Sequence, residues 1–330
     1  MIPQTRIGSP EAVMKWRSFV VPLCGSLSML LVSSLSVLGA QATGKRASDQ
    51  PAARTRWMNV LQTGNYTRTD TQPSTRPADK TRPPQAQQEV TKNDLRNLDE
   101  GAAAGTMLGI TVWRMRPPEA ADEVKLQGRD KVVTPVRVSS DTPLREGDGV
   151  RLTIEAPRNG YLYVIDREQY ADGSLGPPTL IFPTRQLFKG DNAVNERVVV
   201  EIPAIGNSPP FFTLTRSRPD HKAEMIIVLV SDEPLPGIPI GRNASPTPVQ
   251  LKEEQVNEWT AKWAGRVNRF DLEAGEDLPM AKAQADLSNR KRALVHQDPK
   301  PQSVYWLPDA DPGSPLMISI PLIMTDSSAE

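Results

Sequence analysis

Gly149-Val-Arg-Leu-Thr-Ile-Glu155, followed after Ala-Pro-Arg-Asn by Gly160-Tyr-Leu-Tyr-Val-Ile165, decides the fold class. In the first segment Val150, Leu152 and Ile154 alternate with Arg151, Thr153 and Glu155. That period of two is the pattern of a strand with an apolar inner face and a polar outer one. Pro157-Arg-Asn-Gly160 supplies a turn, so the two segments read as a hairpin. On the second strand Tyr161 and Tyr163 share one face, and Leu162 and Val164 the other.

Outward from this pair the pattern repeats. Leu108 to Arg116 reads as an opening strand, with Ile110, Val112 and Arg114 set against Thr111, Trp113 and Met115. Thr179 to Phe182, Arg197 to Ile202, Phe211 to Thr215 and Ala223 to Val230 continue the series. Met225-Ile-Ile-Val-Leu-Val230 is apolar throughout, which predicts a central strand buried on both faces. Short strands punctuated by Pro, Gly, Asn and Asp predict a mainly β chain. The expected form is an antiparallel β-sandwich, immunoglobulin-like or jelly-roll-like. Two C-terminal helices are expected to add to it. Leu251 to Ala264 carries Leu251, Gln255, Trp259 and Trp263 at four-residue steps beside Val256, an amphipathic helix over 251–264. Its two tryptophans read as a core face, with a sugar-stacking platform as the rival. A second helix is expected over 280–295, and closing strands over Ser303–Leu307 and Leu316–Ile323.

The N-terminal part reads differently. Val20 to Ala40 is nearly free of charge, follows Lys15 and Arg17, and ends in Ala40-Gln41-Ala42. A basic start, an apolar run and a small-x-small site make residues 1–42 a secretory signal peptide. Met14 is a second reading of the start. An uncleaved anchor is the rival, because the run is about long enough to span a bilayer. Lipidation at Cys24 is disfavoured, since Leu23 stands where a small residue is needed. The expected location is the periplasm or beyond, with membrane contact only through this segment if it stays uncleaved. Residues 43–104 are rich in Thr, Arg, Pro, Gln and Ala and lack apolar periodicity, which predicts a disordered linker. Trp57-Met58-Asn59-Val60-Leu61 is an apolar island within it. The folded domain is expected over 105–325, with 326–330 a polar tail.

Charge separates along the chain. Residues 43–82 hold eight Lys or Arg against three Asp, and residues from 83 onward hold 28 basic against 35 acidic groups. A basic linker thus precedes an acidic domain, suited to touch anionic envelope polymers or lipid head groups. Export argues against nucleic acid as a partner.

Composition excludes several chemistries. Cys24 is the only cysteine, so cleavage of the leader leaves no disulfide, no thiol nucleophile and no thiolate metal site. His221 and His296 are the only histidines, too few for a multi-histidine metal centre. His221 reads as part of a charged hairpin loop and His296 as a cation near a helix end. Ser217 and Ser303 lie near these histidines in sequence, but there is no Gly-x-Ser-x-Gly elbow and no dinucleotide fingerprint. The densest polar stretch is Asp166-Arg-Glu-Gln-Tyr-Ala-Asp-Gly173, read as a loop at one end of the sheet. Asp166, Glu168 and Asp172 are the weak candidates for a cation there, although they lack the calcium-loop spacing. Otherwise no catalytic residue, cofactor or metal is expected.

Leu144-Arg-Glu-Gly-Asp148, Gly160-Tyr-Leu-Tyr-Val-Ile-Asp166, Asp172-Gly173, Ile181-Phe-Pro-Thr184, Asn192 and Glu201-Ile-Pro203 fall in an order that resembles a bacterial family known as domain of unknown function 4384. The resemblance covers roughly residues 108–235. It implies an envelope-associated β domain, in some proteins attached to proteases, kinases or secretion components, and carries over no catalytic residue. Together these readings predict a non-catalytic binding or scaffold module of the bacterial cell envelope with a protein partner. The expected surface is Tyr170, Asp172, Phe182 and Asn192. Two alternatives stand beside it: a glycan-binding or glycan-hydrolysing domain using the 166–192 loops, and a domain that regulates a separate envelope enzyme.

Overall fold

The computed structural model describes residues 66–71, 106–128, 130–196, 198–272, 278–287, 291–294, 298–308, 310 and 313–325. In chain order the strands begin with β1 Tyr66–Thr71, β2 Thr106–Arg116, β3 Leu126–Gln127, β4 Val132–Val138 and β5 Gly149–Glu155. They continue as β6 Gly160–Tyr170, β7 Thr179–Phe182, β8 Ala193–Val194, β9 Val198–Ile202, β10 Phe212–Thr213 and β11 His221–Ser231. Then come β12 Val249–Gln250, helix α1 Glu253–Trp263, β13 Val267–Leu272, the short helix α2 Lys282–Leu287, β14 Arg292–Ala293, β15 Ser303–Leu307 and β16 Leu316–Ile323.

The strands make two antiparallel sheets. The larger runs β1-β13-β15-β2-β5-β9-β14, with β4 and β10 pairing off this path and β3 pairing β4. The smaller runs β12-β7-β6-β11-β16, with β8 beside β6. One apolar cluster draws on both: Ile110, Val112, Leu152 and Ile154 from the larger sheet, and Leu162, Val164, Ile226 and Val228 from the smaller. These are the inward positions that the alternation in β5 and β6 predicts. The opposite face of β6 is apolar too. Tyr163 and Ile165 pack with Ile227, Leu229 and the α1 residues Val256 and Trp259 in a second cluster. Helix α1 therefore covers the outer face of the smaller sheet, and Trp259 belongs to that core. Trp263 stacks on Trp259 with ring centroids 5.8 Å apart and stays half-buried. As the unbroken apolar run requires, β11 lies between β6 and β16 and is buried on both faces.

Five sequence expectations need correction. First, β5 and β6 are not a hairpin: β5 pairs with β2, β9 and β10, and β6 with β7, β8 and β11. The 156–159 turn is a crossing from one sheet to the other. Second, Arg151, Thr153 and Glu155 do not face solvent; each is at most 5 % exposed. Trp113 donates its indole N–H to Thr153 Oγ1 at 2.8 Å on this second buried face. Third, β6 does not stop at Ile165 but runs to Tyr170. Fourth, helix is found in the 280–295 stretch only over Lys282–Leu287, while Arg292–Ala293 pairs with β9. Fifth, β1 lies inside the segment read as unstructured and pairs along β13, with Tyr66 opposite Leu272 and Thr71 opposite Val267. The signal segment, the Trp57 island and the rest of 43–104 lie outside the described residues. No helix among the described residues is long and apolar enough to cross a membrane.

Gly160 is needed for a closer reason than its turn. A Cβ there would lie 2.4 Å from the carbonyl oxygen of Ser231 on β11, a backbone atom that cannot swing aside. Gly160→Ala is expected to force β6 from β11 and to destabilise by about 1–3 kcal/mol. Urea unfolding checks this: a loss under about 0.5 kcal/mol, the range of ordinary surface changes, contradicts it.

Candidate functional site

The inner row of β6 changes character along its length. Leu162 and Val164 sit in the shared core, and the next residues on that side are Asp166, Glu168 and Tyr170. On the neighbouring strand Ile226 stands opposite Asp166, Glu224 opposite Glu168 and His221 opposite Tyr170. An irregularity between His221 and Ala223 shifts the register at this end of β11. The result is a polar cluster closing one end of an apolar interior. Asp166, Glu168, Glu224 and His221 are each no more than 1 % exposed. One ligating atom from each of Glu168, His221 and Glu224 can be chosen so that all three lie within 4.8 Å of one another.

Each side chain has a defined setting. The Ala223 carbonyl lies 2.9 Å from His221 Nε2. A carbonyl oxygen only accepts, so Nε2 carries the proton and Nδ1 keeps its lone pair in the neutral ring. Nδ1 has no hydrogen-bond partner and lies 3.8 Å from Glu168 Oε1. Glu168 accepts from the Tyr170 hydroxyl at 2.7 Å, from the Ser217 backbone N–H at 3.2 Å and from the Ser217 hydroxyl. Glu224 Oε2 has no hydrogen-bond partner and lies 3.8 Å from His221 Nε2. Burial first, then the charge of Asp166, a hydrogen bond with Asp166 and the charge of Glu168 hold the Glu224 carboxyl well above the usual carboxylate range. Burial also raises the Tyr170 hydroxyl. Arg218, itself paired with Asp220, lies 3.9 Å over the Tyr170 ring. Ser217 is exposed, so the cluster lies one residue from water.

Arg167 points the other way. Its guanidinium donates to Gly176 O at 2.8 Å, Glu253 Oε1 at 3.0 Å and Asn257 Oδ1 at 3.1 Å, which ties β6 to α1. The alternation inside Asp166-Arg-Glu-Gln-Tyr170 thus places alternate charges on opposite sides of one strand.

The residues singled out in the sequence scatter. Asp166 and Glu168 belong to the cluster, but inside a strand and not in a loop. Asp172 does not join them: it is exposed and accepts from the Ser174 backbone and hydroxyl at 2.9 and 2.6 Å. The calcium set Asp166, Glu168 and Asp172 is therefore not assembled. Tyr170 is 7 % exposed, Phe182 is 0 % exposed in the shared core, and Asn192 is 1 % exposed and donates to Leu162 O at 3.1 Å. Of the four surface candidates, Asp172 alone faces water. Asp166 and Glu168 are equally shut away from a glycan chain. His221 is not a loop residue but the buried first residue of β11. Ser217 and His221 both approach Glu168, so their nearness is spatial as well as sequential. Ser303 donates to Asp271 at 2.6 Å on the larger sheet, and His296 lies outside the described residues. The signal missed in the sequence is Glu224, an acid at the head of an apolar run, placed to meet β6.

No family model matches this chain, nor does any curated protein or any solved structure.

Proposed function

We propose that the chain is an exported, non-catalytic binding module of the bacterial cell envelope that takes an extended protein segment along a sheet edge. Its domain is read as a β-sandwich of immunoglobulin-like or jelly-roll-like type with helices added. The basic start, the apolar run and Ala40-Gln41-Ala42 support export. The ordered motifs that resemble domain of unknown function 4384 support an envelope role. The observation that carries the binding mode is β1. Tyr66–Thr71 runs along β13 although nearly two hundred residues separate the two strands, so this is strand addition at an edge and not a hairpin. Main-chain pairing of this kind gives affinity without a catalytic pocket. The partner's segment adds to the outer edge of the β1 strand.

Recovery of partners from an envelope extract tests this. Consecutive N–H groups of a strand point to opposite edges, so Arg68→Pro with Thr69→Pro removes a donor on each side. The unaltered chain is expected to recover a stoichiometric protein partner, and the double-proline chain to lose it with the melting of the domain unchanged. Equal recovery by both chains, or glycan recovered without protein, overturns the reading.

A further inference from the structure

We propose that Glu168, His221 and Glu224 form a binding site for one first-row divalent cation of the zinc type, bridging β6 and β11. Two features of the cluster point to a cation and not merely to buried acid. The Nδ1 lone pair of His221 is completely buried, has no hydrogen-bond partner and faces a carboxylate oxygen 3.8 Å away. Two lone-pair atoms facing each other in a dry interior are repulsive unless a proton or a cation lies between them. The second feature is Glu224 Oε2, 1 % exposed and equally without a partner. Zinc takes imidazole nitrogen and carboxylate oxygen at about 2.0–2.2 Å, so ligands on one ion stand about 3.3–3.5 Å apart. His221 Nδ1 stands 3.8 Å from Glu168 Oε1, within a small side-chain rotation of that spacing. One ligating atom from each of the three residues lies within 4.8 Å of the others, so the Glu224 carboxyl, now 3.8 Å from the protonated Nε2, joins the ion by turning toward the Nδ1 side.

The surroundings fit the same chemistry. Ala223 O fixes His221 through Nε2, as a carbonyl outside a metal site orients its histidine and leaves the other nitrogen to coordinate. Tyr170 and Ser217 hold Glu168 from behind. The neighbouring carboxylate of Asp166 adds negative charge against Glu224. An imidazole ligand and a compact set disfavour calcium and magnesium, which take mainly oxygen and more ligands. Entry runs past Ser217, the exposed residue at this end.

The test uses the whole chain, stripped with chelator and then offered Zn2+, both when folded and during refolding. One Zn2+ per chain is expected, with a melting temperature that rises as Zn2+ is added. Co2+ in its place is expected to give the strong visible bands of a low-coordinate site with nitrogen ligation. His221→Gln and Glu224→Gln are expected to weaken Zn2+ at least about 100-fold, because even outer-shell partners of a metal site are worth 10–100-fold. Asp172→Ala is expected to bind as the unaltered chain does. Absence of saturable Zn2+ uptake after refolding overturns the proposal and leaves the cluster a proton-sharing group. So does uptake unchanged in Glu224→Gln. If neither variant folds, the cobalt spectrum of the unaltered chain decides: the weak spectrum of hydrated Co2+ overturns the site.

Discussion

Glu201→Ala is expected to cost the fold about 3–5 kcal/mol, because it removes one partner of a fully buried ion pair. Arg151 and Glu201 lie diagonally across the β5–β9 ladder, are 0 % and 1 % exposed, and form a salt bridge. Burial pulls the Arg151 guanidinium below its usual range, and the charge of Glu201 opposes that shift. The pair is thus held where each ion has surrendered water and faces an opposite charge. Removing one partner is far more damaging than removing both. Arg151→Met with Glu201→Leu is expected to recover most of the loss, since apolar side chains of similar volume need no compensation. Guanidinium unfolding of the four chains gives the coupling directly. A loss below about 1 kcal/mol for Glu201→Ala is the value of an exposed ion pair and contradicts the geometry.

The same pair explains where the sequence could be read and where it could not. Period-two patterning identifies a strand and its apolar face, and it placed Val150, Leu152, Ile154, Leu162 and Val164 in the shared core. It says nothing about whether the other face is also covered. A polar alternate position reads as outward, yet Arg151 pairs with Glu201 and Thr153 with Trp113 on a face that is buried as well. The length of β6 was hidden for the same reason. Asp and, to a lesser degree, Glu are depleted in strands, but antiparallel pairing with β11 carries the strand through to Tyr170. Partner choice is non-local as well. The Pro157-Arg-Asn-Gly160 turn is compatible with a hairpin or with a crossing, and only the packing of the two sheets decides. The cluster around His221 was half legible: its two β6 carboxylates stand out by density. Their partners sit about fifty residues away, and the register that joins them is set by neither segment alone.

Phe182→Ala is expected to destabilise by about 3–5 kcal/mol, whereas Asp172→Ala is expected to change stability by no more than about 1 kcal/mol. Both residues belong to one expected binding surface, and the contrast separates them. Phe182 ends β7, stands opposite Val164 and meets the ring of Phe188 edge-on at 5.9 Å. Truncating it deletes a large apolar side chain from the core that both sheets share and leaves a cavity that close-packed neighbours only partly close. Asp172 only caps the turn at Ser174 in water, where a lost hydrogen bond is replaced by solvent. Urea unfolding gives both numbers, and partner recovery from an envelope extract should be measured below the unfolding range of each variant. Recovery that survives in Phe182→Ala while the protein is folded assigns this residue to packing. Loss of recovery with stability unchanged would return Phe182 to the binding surface and would contradict its complete burial.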